Sequence, residues 1–239
     1  MVAIEVAAVL FLATIIRSAF GFGEALVAVP LLALALPVET AAPLAVLASI
    51  TVALIVVLQD WRHIHLRSAV WLVVPTFLGI PLGLLALKKL PEPAVKAFLA
   101  LVIISFSAWS LTPHSRFELK NERLASLFGF AAGILGGAYG MNGPPLAMYG
   151  SLRRWPPANF RATLQGYFLP ASLAGMTGYW AAGLWTPVVN HFYLLSFPGV
   201  LVGIFLGRWI NRRLHARHFL IYVHAGLIAI GLVLLVQAL

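Results

Sequence analysis

Gly21-Phe22-Gly23-Glu24 interrupts one apolar run, and Gly140-Met141-Asn142-Gly143-Pro144-Pro145 interrupts another 119 positions later. Glycine leaves the backbone unconstrained and proline removes an amide donor, so each string breaks a helix that its neighbours would continue. A matched pair of breaks inside hydrophobic segments predicts two interrupted helices built around one central site. The flanks identify the solvent as lipid. The 239 residues are 62% hydrophobic and 10% charged, with a mean hydropathy of +0.97, whereas a soluble domain carries about 25% charge. The charges gather at 59–67, 88–96, 112–123, 153–161 and 208–217. The long intervals between them suit helices of about 20 residues, the length that crosses about 30 Å of hydrocarbon. A soluble helical bundle is excluded by the lack of an amphipathic outer shell.

This reading gives an all-α polytopic membrane protein. Uninterrupted spans fall at 41–58, 69–87, 95–111, 162–181, 191–208 and 218–238, and the composite segments 2–36 and 124–152 hold the breaks. Glu5 and Arg17 do not fit a cleavable signal peptide, so residues 2–16 are expected in the mature fold. Further landmarks recur in order. Pro37 is followed by Pro75, Gly79, Gly83 and Lys88-Lys89-Leu90, and Pro156 by Pro198, Gly203, Gly207 and Arg212-Arg213-Leu214. The chain therefore divides into a first membrane repeat at 1–111, a connecting loop at 112–123 and a second repeat at 124–239.

Charge placement orients the repeats. If each broken segment makes a V-shaped excursion, Arg62, Arg67, Arg116, Lys120, Arg123, Arg153, Arg154, Arg161, Arg208, Arg212, Arg213 and Arg217 share one side, against Lys88, Lys89 and Lys96 on the other. That division of 12 to 3 makes the rich side cytoplasmic, puts both termini outside and inverts the second half relative to the first. Single crossings give 10 to 5 and parallel repeats, so the charge rule favours inversion. The net charge of +9 thus reads as a topology signal and excludes a nucleic-acid face. Tryptophans near segment ends form the expected interfacial belt.

Four polar side chains stand out at membrane depth: Arg17, Glu24, Arg161 and Gln165. Arg161 and Gln165, at i and i+4, share a helix face and with Asn142 can donate to an oxoanion. Helices starting after Gly23 and Gly143 aim backbone N–H groups at the breaks, so Gly21, Gly23, Gly140 and Gly143 join the candidate anion site. Glu24 can pair with Arg17 or take up a proton. The structural alternatives are that Arg161 and Arg17 snorkel to a boundary, that Gln165 caps a backbone carbonyl and that Glu24 is only an acceptor. The histidines at 63, 65, 215, 218 and 224 are expected at surfaces or boundaries, without metal-binding spacing. Zero cysteines removes thiol chemistry, and the seven acidic residues form no hydrolytic arrangement, so no enzyme, metal or cofactor is expected.

Phe20-Gly21-Phe22-Gly23, Gly136-Gly137-Ala138-Tyr139-Gly140-Met141-Asn142-Gly143-Pro144-Pro145, Arg153-Arg154-Trp155-Pro156 and Phe160-Arg161-Ala162-Thr163 resemble the TauE/SafE family of sulfite and organosulfonate exporters. The resemblance runs through essentially the whole chain. It implies a multi-pass permease of a prokaryotic inner membrane, exporting sulfite, sulfoacetate or a related small anion by alternating access, with proton coupling and a homodimer left open. Two departures bear on the substrate. Glu24 interrupts a glycine string that is often more continuous in the family, and Asn142 stands where many members have glycine. A gated anion channel and a membrane scaffold without transport activity are the competing readings.

Overall fold

The computed structural model describes residues 2–60, 66–112, 118–119, 121–213 and 216–238, without the side chains of 60, 66–67, 157–158, 161, 212–213 and 216–223. The described residues form ten α-helices and no strand: α1 (Val2–Phe20), α2 (Glu24–Leu32), α3 (Val38–Asp60), α4 (Leu66–Lys89), α5 (Glu92–Leu111), α6 (Ala125–Tyr139), α7 (Gly143–Leu152), α8 (Pro157–Ala181), α9 (Pro187–Arg213) and α10 (Ala216–Ala238). A 3₁₀ turn at Glu122–Leu124 precedes α6. Five helices among the described residues are long and apolar enough to cross a membrane, namely Val2–Phe20, Val38–Gln59, Ser68–Lys89, Glu92–Leu111 and Pro187–Asn211. Large apolar side chains such as Leu58, Leu78, Phe205 and Val236 point outward, the reverse of a water-soluble surface.

Both expected breaks are present. Gly21 adopts φ 86° and Gly140 φ 64°, left-handed values that a Cβ makes costly, so α1 and α6 stop there, and Gly23 at φ 100° opens α2. Pro144 and Pro145 occupy the first turn of α7, where a missing N–H leaves nothing unpaired. Prolines also lie inside intact helices, at Pro43 in α3, Pro75 and Pro81 in α4, Pro170 in α8 and Pro198 in α9. Neighbouring groups in a membrane bundle can satisfy the carbonyls they release.

Interhelical contacts fix the directions. Gly203 packs on Phe11 and Thr14, and Gly207 on Ile15 and Ser18, so α1 and α9 run parallel. Gly129 lies on Leu72, Gly133 on Thr76 and Gly137 on Ile80, so α6 and α4 also run parallel. A Cβ on Gly137 would sit 2.1 Å from the Ile80 carbonyl oxygen, which is why this stripe is glycine. His224 bonds to Ser107 and Ser110 while Gly231 faces Ile103 and Ile104, making α5 and α10 antiparallel. Ser49 meets Ser172, and one turn later Ala53 clusters with Leu164 and Phe168, making α3 and α8 antiparallel. The connectors 90–91 and 182–186 are too short to lead back across the bilayer, so α4/α5 and α8/α9 run antiparallel, and Thr76 meets Tyr167 while Lys88 meets Ala182, so α4 and α8 run parallel.

One arrangement satisfies all of these relations. Helices α1, α3, α5 and α9 point one way, and α4, α6, α8 and α10 point the other. Each first-half helix is therefore opposed to its second-half counterpart: α1 to α6, α3 to α8, α4 to α9 and α5 to α10. Because α1 and α3 agree in direction, α2 must return the chain between them, and α7 does the same between α6 and α8. The breaks are the tips of two V-shaped excursions. Lys88 Nζ donates to the Ala182 carbonyl at one end of the bundle, 2.9 Å away, and Arg208 pairs with Gln59 at the other.

Candidate functional site

The excursions enter from opposite ends and meet tip to tip. A Cβ on Gly143 would lie 3.9 Å from the Phe22 ring and 4.0 Å from the Gly23 amide nitrogen. Beside this contact Arg17 and Glu24, 3% and 1% exposed, form an ion pair of 2.6 Å between Nη1 and Oε2. An isolated charge at the centre of a span costs about 2.5–3.5 kcal/mol by insertion scales, and pairing offsets much of that. The break makes the pair: α1 delivers Arg17 in its last turn, and the reversal at Gly21 to Gly23 returns Glu24 to it in the first turn of α2.

The guanidinium is held on several sides. Nη1 also donates to Ser49 Oγ at 2.6 Å, Nη2 donates to Gln165 Oε1 at 2.9 Å, and the Phe168 ring centroid lies 4.7 Å from Cζ. Thr14 Oγ1 donates to the second carboxylate oxygen of Glu24 at 3.2 Å. Arg17 Nε is buried without a hydrogen-bond partner, one donor left over by the protein. Gln165 ties this cluster to the first break by donating through Nε2 to the Gly21 carbonyl at 2.7 Å. The second break is braced by neutral groups. Asn142 Nδ2 donates to the Ala132 carbonyl at 3.1 Å and to the Tyr167 hydroxyl at 3.4 Å, and the Tyr179 hydroxyl donates to the Gly136 carbonyl at 2.9 Å.

The structure brings together Arg17, Gly23, Glu24, Gly140, Asn142 and Gly143 around one cavity, also lined by Ser49 and Phe168. Gly21 and Gln165 brace its wall from behind. The space open to water centres is about 10 Å³, room for about one water. The site is occluded in this conformation. Two wider spaces, about 810 Å³ between α4 and α8 and about 420 Å³ along α5, α6 and α7, have overwhelmingly apolar linings and offer an anion no buried charge.

Several expectations change in detail. Arg17 does not snorkel to a boundary; it is buried and paired with Glu24 at the cavity. Gln165 and Asn142 are engaged in bracing the breaks, Gln165 at both ends of its amide. Arg161 lies on α8 one turn before Gln165, but its side chain falls outside the described residues, as do Arg62, Arg67, Arg116, Lys120, Arg212, Arg213, Arg217 and the histidines at 63, 65, 215 and 218. His224 is 3% exposed between α5 and α10, not at a surface, because Ser107 and Ser110 satisfy its ring nitrogens. Ser49, Ser172, Thr14 and Phe168 were not anticipated. Helical serines and threonines can bond to their own backbone, so their presence in an apolar run gives little sign of a tertiary partner.

The sequence model of the family described as Sulfite exporter TauE/SafE matches residues 6–234. The chain belongs to the TauE/SafE family. No curated protein and no solved structure matches it. Membership makes this a multi-pass membrane protein of a sulfur-anion exporter family, and the match spans both broken segments and every side chain at the cavity.

Proposed function

We propose that the protein exports small sulfur-containing oxoanions such as sulfite or sulfoacetate across a prokaryotic inner membrane by alternating access. The observation that carries this reading is the meeting of two oppositely entering broken hairpins at a single buried Arg17–Glu24 pair. Inverted repeats meeting at mid-membrane are the architecture in which a site is exposed to one side and then the other. The single-water cavity suits an occluded intermediate, which a continuously open pore does not require. Ser49 and Ser172 support the repeat reading. They are separated by the same 123 positions as Pro75 and Pro198, and their hydroxyls meet at 3.0 Å where α3 crosses α8.

In this mechanism Arg17 supplies the positive charge, the first-turn amides of α2 and the Gly143 amide that opens α7 supply neutral donors, Asn142 and Gln165 brace the breaks around them, and Glu24 sets the net charge. The selectivity that follows is for compact oxoanions, since Phe22, Phe168 and the closely packed helix tips leave no room for a bulky group without further opening. Purified protein in inside-out vesicles, presented with sulfite, sulfoacetate, taurine, sulfate and small carboxylates, provides the test. Saturable accumulation of sulfite or sulfoacetate is the expected result. Conductance beyond the turnover of a carrier would assign a channel instead, and binding without vectorial movement would assign a scaffold.

A further inference from the structure

We infer that the anion and one proton travel together, with Glu24 serving as an internal counter-anion that the substrate replaces only when that carboxylate is protonated. The inference rests on the anion-transport reading above and assigns its coupling. Arg17 and Glu24 are the buried acid–base pair of the described structure, and Glu24 Oε2 holds the guanidinium edge that an incoming oxoanion needs. With Glu24 ionised the pair is neutral, and a substrate anion entering the same small cavity would meet an adjacent carboxylate. A proton on Glu24 removes that charge while leaving Arg17 cationic. Arg17 Nε, buried and without a protein partner, then supplies a further donor for the ligand.

The other groups around Glu24 offer no alternative carrier of the compensating charge. From α1 it faces Thr14 and Arg17; Ser49 of α3 and Gln165 of α8 reach it through Arg17, and Asn142 and Gly143 line the same cavity. Helices α5 and α10 also pack against α2. On α5, Glu92 and Lys96 pair with each other at 3.1 Å, and on α10 the His224 ring is turned to Ser107 and Ser110. Arg161, Arg217, His218 and Tyr222 have side chains outside the described set.

Spacing also sets the stoichiometry. At the interval of 119 that relates the breaks, the counterparts of Arg17 and Glu24 are Gly136 and Gly143, so the second half contributes no second acid. The cycle then has two low-energy forms. The empty carrier returns with Arg17 and Glu24 closed on each other, as in this structure. The loaded carrier holds protonated Glu24, cationic Arg17 and the anion. A proton without an anion leaves Arg17 buried and uncompensated, and an anion without a proton leaves excess negative charge, so neither crosses alone. For a monovalent sulfonate the substrate and proton sum to zero charge. Export is therefore electroneutral and driven by the substrate's own gradient with the proton leaving alongside, and no proton enters in exchange.

Methanesulfonate, which has no titratable proton near neutral pH, separates this from the chemistry of sulfite. In proteoliposomes with a lumenal pH dye and the voltage clamped by potassium and valinomycin, outward methanesulfonate flux should alkalinise the lumen at one proton per anion. Its apparent affinity should strengthen by up to about tenfold per unit fall in pH, the limit for one linked proton. E24Q, which mimics the protonated form, should retain pH-independent methanesulfonate counterflow yet lose net efflux at least tenfold, because the empty return form has lost its ion pair. Lumenal acidification, or methanesulfonate efflux from the wild type without any pH change, overturns the coupling and leaves the transport reading intact. Failure of the wild type to move methanesulfonate, sulfoacetate and sulfite alike overturns the transport reading itself.

Discussion

Arg17 and Glu24 are only seven residues apart, yet no continuous helix would place them as they stand. The reversal at Gly21 to Gly23 folds one onto the other, so the residues that break the helix also make the ion pair. Arg17→Ala leaves the Glu24 carboxylate buried and unpaired, a loss of about 3–5 kcal/mol for half of a buried pair. Removing both charges, in R17A/E24Q, should recover part of that loss. Thermal unfolding of the purified proteins in detergent checks the order: wild type first, the double variant next and R17A last. Arg161 makes a separate prediction. Its position one turn before Gln165 in the sequence of α8 motivates it: R161A should reduce oxoanion transport while leaving the amount of inserted protein unchanged. An unaltered affinity and rate would remove Arg161 from the substrate route.

Among the elements, glycine has two uses that sequence alone does not separate. At Gly23 and Gly140 the backbone itself is left-handed, whereas Gly83 and Gly137 are ordinary helical positions where neighbouring helices touch. G137V should therefore drive α4 from α6, since even its first carbon would overlap the Ile80 carbonyl, and should cost at least the 1–3 kcal/mol of about one overpacked methylene or more. Gly175→Ala, with nothing within 4 Å of the added carbon, should be near neutral. Unfolding temperatures of the two variants compare these directly. The helix bounds were legible because charge clusters and prolines mark them; α3, α4 and α5 begin within three residues of the expected spans. The pairing of α1 with α9 and of α4 with α6 was not legible, since an apolar helix face carries no partner's address and small-residue stripes fit many neighbours. The same reason hid the Ser49 contact, while the Arg17–Glu24 pair could be named because so few charges occur at membrane depth.

The whole molecule makes the strictest demand, because all connectors must agree at once. The helix directions place the ends of α3, α5 and α9 at one face, together with the starts of α4, α6, α8 and α10. The opposite face holds both termini and the connectors 90–91 and 182–186, with Lys88 joined to Ala182 there. Arg153 and Arg154 reach Glu122 and Glu118 at the first face, the one to which the arginine-rich connectors belong. These placements follow from helix contacts, whereas the division of 12 basic residues to 3 came from sequence, and the two select the same topology. We therefore expect the termini outside and the connectors at 59–68, 112–123, 153–161 and 208–217 in the cytoplasm. The chain has no native cysteine, so single introduced cysteines report without background. An impermeant maleimide applied to intact cells should label cysteines placed at Val2, Leu90 and Gly183, and should label those at Asn121 and Arg154 only after the membrane is opened. Labelling of Val2 and Arg154 from the same side would break the inverted arrangement. The meeting of the two hairpins at one ion pair would then need a different path through the membrane.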